Sequence, residues 1–201
     1  MFITLEGGEG AGKSTQAGLL AERLTSTGRS VLRTREPGGA PGAELLRRLL
    51  LDGAMAWSPA AEIHLHFAAR AEHLARTVLP ALAAGTVVVC DRFADSTMAY
   101  QGYGLGADRA LIAALTRLLP VQPALTLLLH IPPETAAARI AARPGSLDRY
   151  ERLDAAFHAR VAEGYEALAA AEPSRFVRID GEGDMPGIAA RIWSAVAARL
   201  P

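Results

Sequence analysis

Residues Gly7-Gly8-Glu9-Gly10-Ala11-Gly12-Lys13-Ser14 form a complete Gly-x-x-x-x-Gly-Lys-Ser phosphate-binding loop. In such a loop glycines let backbone amides close on phosphate oxygens, the lysine reaches the beta and gamma groups, and the serine hydroxyl can ligate magnesium. Lys13 is the only lysine, and every other one of the 21 basic side chains is an arginine. The chain has kept an ammonium where a compact charge on a flexible stem can fold over a tight loop, a task for which a planar guanidinium is too wide. Glu9 is out of character inside an anion cradle, because phosphates would repel it. It is expected to face another group, such as a sugar hydroxyl on a second substrate.

A second constellation follows the apolar run Val87-Val88-Val89-Cys90, which ends in Asp91-Arg92. A carboxylate at the C-terminal edge of a buried strand lies where parallel sheets bind ligands, and Asp91 there can hold magnesium directly or through water. Arg92 offers a bidentate partner for a phosphate; the bland reading of the pair is an ion pair closing the strand. Arginine then accumulates beyond what one nucleotide needs: Arg35, Arg47, Arg70 and Arg92, with Arg139, Arg143 and Arg149 grouped later. Any one of them alone reads as a solvated surface charge. Two groups on separate elements point to two phosphorylated ligands and to phosphoryl transfer between them, which needs spread positive charge, in-line alignment and exclusion of water. His66 and Phe67 lie one turn before Arg70 and could present a flat ring to a base while Arg70 bonds its edge. His64, His73, His130 and His158 show no metal-ligand spacing with a second ligand type.

These residues need a scaffold, and short apolar runs alternating with longer amphipathic stretches predict a parallel sheet flanked by helices. Strands are expected at Phe2–Glu6, Val31–Arg35, Thr86–Asp91, Ala124–Ile131 and Phe176–Asp180. Helices are expected at Lys13–Thr27, Gly42–Leu51, Pro59–Ala84, Asp108–Leu119, Pro133–Ala142, Asp148–Ala171 and Met185–Leu200, the third kinked or divided by Pro80. The phosphate loop thus joins a strand to a helix whose free amides and positive dipole end face the bound phosphates. The break around residues 143–150 carries two arginines and is the candidate lid.

At 201 residues, half of them hydrophobic, the chain predicts one domain over residues 1–201. A formal charge of +0 argues against a nucleic-acid partner or a membrane surface, so any anion site must be local. Cys90 is the only cysteine, which rules out intrachain disulfides, and its apolar setting reads as packing in a reducing compartment. The first residues, Met1-Phe2-Ile3-Thr4-Leu5-Glu6, lack the basic start and long apolar run of a signal peptide, and a cytoplasmic location is expected.

The residues together resemble bacterial thymidylate kinases over essentially the whole chain. The matching pieces are Leu5 through Thr15, Thr34-Arg35-Glu36-Pro37-Gly38-Gly39, Phe67-Ala68-Ala69-Arg70, Asp91-Arg92-Phe93 through Ser96, Ala99-Tyr100-Gln101-Gly102, and Leu147-Asp148-Arg149-Tyr150-Glu151. The resemblance implies a three-layer phosphate-loop fold with a five-stranded parallel sheet and a short lid. It further implies transfer of the ATP gamma-phosphoryl to thymidine 5'-monophosphate (dTMP), with magnesium, in a homodimer.

By the same resemblance Gly7, Gly8, Glu9, Gly10, Ala11, Gly12, Lys13, Ser14 and Thr15 form the donor loop, and Arg139 lies near the adenine. Glu9 lies near the sugar 3'-hydroxyl, and Arg35, Arg47 and Arg92 hold the acceptor phosphate beside Pro37. Arg70, Ser96, Thr97 and Gln101 line the thymine site, Tyr100 presses on the deoxyribose, and Ser14 and Asp91 serve the magnesium. Phe67 is expected to stack on the base, with His66 as the alternative. Gly8 and Gly10 put no basic side chain in the loop before Lys13, so Arg143 and Arg149 of the lid are expected to supply one.

Other nucleoside monophosphate kinases share the donor site, but the acceptor motifs favour thymidylate. A GTPase would read guanine with Asn-Lys-x-Asp, which a chain whose one lysine is Lys13 cannot contain. A regulatory module without catalysis would be expected to show a damaged loop or missing acceptor groups, and neither occurs.

Overall fold

The computed structural model describes residues 1–52, 55–142 and 148–200. Five parallel strands, β1 (Phe2–Glu6), β2 (Val31–Arg35), β3 (Val87–Asp91), β4 (Leu125–His130) and β5 (Phe176–Asp180), lie in the order β2-β3-β1-β4-β5. The three inner strands are buried on both faces and so read as near-continuous apolar runs, whereas the edge strands β2 and β5 carry Arg33 and Arg178. Side chains alternate between faces. Ile3, Leu5, Val89, Leu127 and Leu129 pack with Leu20 and Leu24 of α1 (Lys13–Ser26) and Ile188 and Ile192 of α9 (Met185–Ala197). On the other face, Phe2, Val88 and Cys90 pack with Leu74, Val78 and Phe93, and Leu128 packs with Phe157, Val161 and Tyr165. The result is helix, sheet, helix in three layers.

β1 is the strand from which the chain first winds to one side and later to the other, so the crevice above its C-terminal end is where such sheets bind ligands. Register brings the chemistry there: Leu5 lies opposite Asp91, and Arg35 opposite Asp91 on the other side.

All five strands and most helices lie where the sequence places them, including α2 (Pro41–Leu51) and α7 (Pro133–Ala142). Three stretches differ. The expected helix Pro59–Ala84 is α3 (Pro59–His73), a π-helical turn at Leu74–Val78 and α4 (Leu79–Ala83). The wide turn comes just before Pro80, whose ring and missing amide do not fit an uninterrupted α-helical ladder. The helix expected from Asp148 begins instead at Ala155 as α8 (Ala155–Ala171), because the Asp154 side chain caps it through Phe157 N. Asp148 closes a separate turn by accepting from Tyr150 N and Glu151 N. An unexpected helical stretch, α5 (Ala94–Thr97) running into a π-helical segment at Met98–Gly104, follows β3; α6 (Arg109–Arg117) comes next. Of the expected lid, residues 143–147 lie outside the described residues.

α8 packs tightly on the Met98–Gly104 segment, with Arg160 donating twice to Gly104 O at 3.0 and 2.8 Å. A Cβ on Gly104 would stand 2.5 Å from Phe157 Cε2 and 2.9 Å from Val161 Cγ2. Phe157 is itself held between the rings of Tyr100 and Tyr150 and cannot retreat. Gly104→Ala should therefore lower unfolding free energy by about 1–3 kcal/mol, more than the gain from a less flexible unfolded chain. Denaturant titration reads this, and an unchanged midpoint would contradict the packing account.

Candidate active site

The loop between β1 and α1 takes its shape from glycine. Gly7 has φ 139° and a side chain there would run into the carbonyl of Leu129; Gly10 has φ 72° and a Cβ would approach Ala136 O to 2.8 Å. Gly12, at φ 87°, stands just ahead of α1, so the helix begins with its amides open. Lys13 folds back over the loop and donates to Gly8 O at 2.6 Å. Burial, then repulsion from Arg92, lowers its pKa to about 8 against the pull of Glu9, Asp91 and Glu6. Ser14 Oγ donates to Asp91 Oδ2 in a short contact, which brings the two expected magnesium ligands together. Asp91 Oδ1 is buried with no partner, an orphaned acceptor that fits a bound cation. Among the described residues no cluster of three or more histidine, cysteine or carboxylate side chains forms a metal cage.

Glu9 turns away from the phosphate cradle, as its charge requires. It accepts from Arg92 Nη2 at 2.6 Å and from Tyr100 OH at 2.7 Å. Burial opposes its charge, but Arg92, Lys13 and the Tyr100 hydroxyl together hold its pKa at about 2. Arg92 also donates to Gly7 O, Ser96 Oγ, Tyr165 OH and Tyr100 OH at 2.9–3.2 Å. Its backbone sits at φ 69°, a strained conformation for a residue with a side chain, worth about 1–3 kcal/mol.

Ser96 Oγ and Tyr165 OH both donate to Glu6 Oε2, at 2.6 and 2.9 Å, while Phe93 N donates to Oε1 at 2.7 Å. Burial, with the nearby Asp95, pushes Glu6 up to about 7 despite these bonds. Asp95 in turn is clamped by Arg175 at 2.6 and 3.0 Å.

One cavity of about 520 Å³ connects these parts. At one end lie Gly10, Gly12, Lys13, Ser14, Thr15 and Arg139, with Arg139 donating to Gly181 O at 2.9 Å. At the other lie Arg35, Pro37, Arg47, His66, Arg70, Ser96, Thr97, Tyr100 and Gln101, with Asp91 and Arg92 between. Arg47 donates to Pro37 O at 2.6 Å, and Arg35 pairs with Glu44 at 3.0 Å on the exposed rim. Arg70 is locked by Glu36 at 2.8 Å, Thr97 Oγ1 at 3.0 Å and Phe93 O at 3.1 Å, yet its Nη1 is buried with no partner. Glu36 is fixed by His73 at 2.9 Å.

Two expectations change. Phe67, expected on the base, packs instead with Ile63, Ala107 and Ile112 beneath the Arg70 guanidinium, and His66 takes the cavity wall. A residue four positions before Arg70 lies one turn above it on the same face, so His66 shares Arg70's outlook. Arg149, expected over the phosphates, does not line the cavity; it pairs with buried Glu62 at 2.7 Å. Arg143 lies outside the described residues. The sequence reading missed the supporting groups Glu6, Glu36, Glu62, Tyr150 and Tyr165. Glu6, Glu36 and Tyr150 lie inside the matching motif pieces but carry no assigned role there, while the signal for Glu62 and Tyr165 is a polar side chain at a position that helix periodicity marks as buried.

A family model described as thymidylate kinase matches residues 5–192. The chain belongs to the thymidylate kinase family. It is 55% identical to a thymidylate kinase of Synechococcus sp. (strain JA-2-3B'a(2-13)), over 100% of this chain and 96% of that one. It is 52% identical to one from Gluconobacter oxydans (strain 621H), over 100% and 95%. Its structure resembles a crystal structure of thymidylate kinase from Ehrlichia chaffeensis with a TM-score of 0.79 and 33% identity, covering 98% of each chain.

Within this thymidylate kinase fold His66 is neutral: burial, then Arg70 and Arg149, lowers its pKa to about 3 from the ordinary 6.5. Between pH 6.5 and 3 the unfolded chain binds a proton there that the folded chain refuses, so stability is lost as pH falls through that window. His66→Phe should make unfolding free energy less steep in pH by about 1.4 kcal/mol per unit near pH 5. An equal slope in both proteins would show that His66 does not titrate on unfolding.

Proposed function

We propose that this kinase joins its two nucleotides end to end in the single cavity, as one domain over residues 1–201, with magnesium, as a homodimer in the cytoplasm. As a thymidylate kinase the chain phosphorylates dTMP to the diphosphate at the expense of ATP, a step toward dTTP. The observation that carries the mechanism is the continuity of the cavity from the phosphate loop to the Arg35, Arg70 and Gln101 end.

In this reading the donor phosphates lie on the amides of the loop and of α1, and Lys13 exchanges Gly8 O for phosphate oxygen. Arg92 stands between donor and acceptor ends and, with Arg35 and Arg47, takes the acceptor phosphate. Arg92 stays charged: burial opposes its charge, but Glu9 together with Tyr100, Tyr165 and Asp91 outweighs burial and raises its pKa well above its usual range. Glu9 and Tyr100 meet the deoxyribose, and the Tyr100 ring fills the space a ribose 2'-hydroxyl would need. The base lies against His66, with the unpartnered Arg70 Nη1 aimed at a base oxygen. Ser14 and Asp91 would hold the magnesium, which supplies charge neutralisation across the phosphates.

Arg139 occupies the side of the donor end expected for adenine, beside a smaller cavity of about 330 Å³ that it lines with Gln16 and Met185. Arg143 would add the positive group that Gly8 and Gly10 cannot. Arg149 could reach the phosphates only by releasing Glu62. Leu45 and Leu49, four residues apart and exposed on α2, give an apolar stripe suited to a second copy. No helix among the described residues is long and apolar enough to cross a membrane.

Assayed with ATP and each common monophosphate, the protein should turn over dTMP well ahead of guanosine and adenosine monophosphates. Comparable rates would reject the acceptor assignment. Lys13→Ala should reduce kcat by about 10²–10³-fold, the scale of losing one electrostatic group at a transferring phosphoryl, with little change in Tm. Near-normal turnover in that variant would remove Lys13 from the chemistry.

A further inference from the structure

Behind the base end of the cavity, reaching its wall through His66, Gln101 and Tyr150, lies a buried polar knot that joins α3, the π-helical segment and the turn at Asp148–Glu151. Gln101 Nε2 donates to Glu62 Oε1 at 3.0 Å and to Tyr150 OH at 2.9 Å. Tyr150 OH donates to the same Glu62 oxygen at 2.8 Å. His66 Nε2 meets the Tyr150 oxygen at 3.2 Å, and Arg149 closes on Glu62 Oε2 at 2.7 Å. Glu62 and Gln101 are 2% and 1% exposed, so water does not substitute for these partners.

The chemistry of this knot permits one arrangement. A primary amide can present either its oxygen or its nitrogen to a neighbour, and the two are interchangeable in shape. A carboxylate paired with arginine can only accept, so Glu62 forces the nitrogen of Gln101 toward itself. The Tyr150 hydrogen is committed to Glu62, so the Tyr150 oxygen can only accept as well, and it too faces the amide nitrogen, at 2.9 Å. The remaining group, the Gln101 carbonyl oxygen, is what Gln101 can offer to the cavity it lines. Arg70 Nη1, buried and unpartnered at the same end, offers a donor. A fixed acceptor and a fixed donor lining one cavity complement a base edge carrying an N–H next to a C=O, as thymine has. Cytosine presents a bare ring nitrogen and an amino group there, and would set acceptor against acceptor and donor against donor.

We propose that Glu62 is a positioning residue for acceptor specificity: through the Gln101 amide it sets the cavity to read the imide of thymine and to refuse cytosine. This rests on the base lying at the Arg70 and Gln101 end, as given under Proposed function. Glu62 touches no substrate. Replacing it with an amide, which can donate or accept, frees Gln101 to turn over.

The test is equilibrium binding and steady-state kinetics with dTMP and deoxycytidine monophosphate (dCMP), using wild type, Glu62→Gln and Tyr150→Phe. Tyr150→Phe removes the second acceptor while leaving the Arg149 pair in place. Glu62→Gln should raise KM for dTMP by about tenfold or more with a smaller change in kcat. It should also narrow the ratio of dTMP to dCMP affinities by at least about tenfold, the scale of mismatched polar groups in a buried site. Tyr150→Phe should move the ratio the same way by a lesser factor.

A merely structural role would lower Tm and weaken both ligands alike, leaving the ratio unchanged, and that result would overturn the proposal. A wild-type protein with no preference for dTMP over dCMP would instead overturn the placement of the base. A wild-type preference carried intact into both variants would overturn Glu62 alone. Should Glu62→Gln fail to fold, the Tyr150→Phe ratio decides by itself.

Discussion

The guanidinium of Arg92, largely buried at the C-terminal end of the central sheet, is the contact on which the rest of the cleft depends. It reaches back to the phosphate loop through Gly7 O, across to Glu9 and Tyr100, and down to Ser96 and Tyr165. A buried charge of this kind is tolerable only when nearly every N–H finds a partner, and the loss of one partner leaves an expensive remainder. Glu9 supplies the compensating charge at 2.6 Å, which explains a carboxylate in a loop built for anions. The strained backbone at φ 69° is maintained because the surrounding bonds over-determine it.

The same logic repeats one layer further out. Two of the arginines that face the cavity are each backed by an acid at ion-pair distance: Arg92 by Glu9, Arg70 by Glu36. Glu36 is aligned by His73, whose other nitrogen meets Thr34 Oγ1 at 2.7 Å. Donors held this way cost little reorganisation when a ligand arrives, which is the physical content of a preorganised electrostatic site. It also fits a formally neutral chain, since the basic side chains of the cleft are nearly matched by carboxylates beside them and charge is not separated onto opposite faces.

Much of this was legible in the residues. Inner strands of a parallel sheet are buried on both faces, so Phe2–Glu6 and Val87–Asp91 stand out as apolar runs, and the loop before Lys13 has a spacing dictated by phosphate geometry. The helical stretch Ala94–Gly104 was not legible. Its buried face carries Asp95, Thr97 and Gln101, which hide the helical period under polar side chains. His66 and Phe67 could not be separated because three and four residues before Arg70 are both one turn away; only the packing of Ile63 and Ile112 around Phe67 decides between them. Glu6, Glu62 and Tyr165 were invisible for a related reason: their partners lie 69 to 159 positions distant along the chain in the case of Tyr165.

Lys13 carries a further implication. It holds the chain's sole ε-amine, and burial together with Arg92 lowers that amine's pKa to about 8, so it gives up its proton more readily than an exposed lysine would. No decoy lysine exists elsewhere on the molecule to intercept an acyl donor. Acylation of any lysine in this protein is therefore, by arithmetic alone, acylation of the phosphate loop.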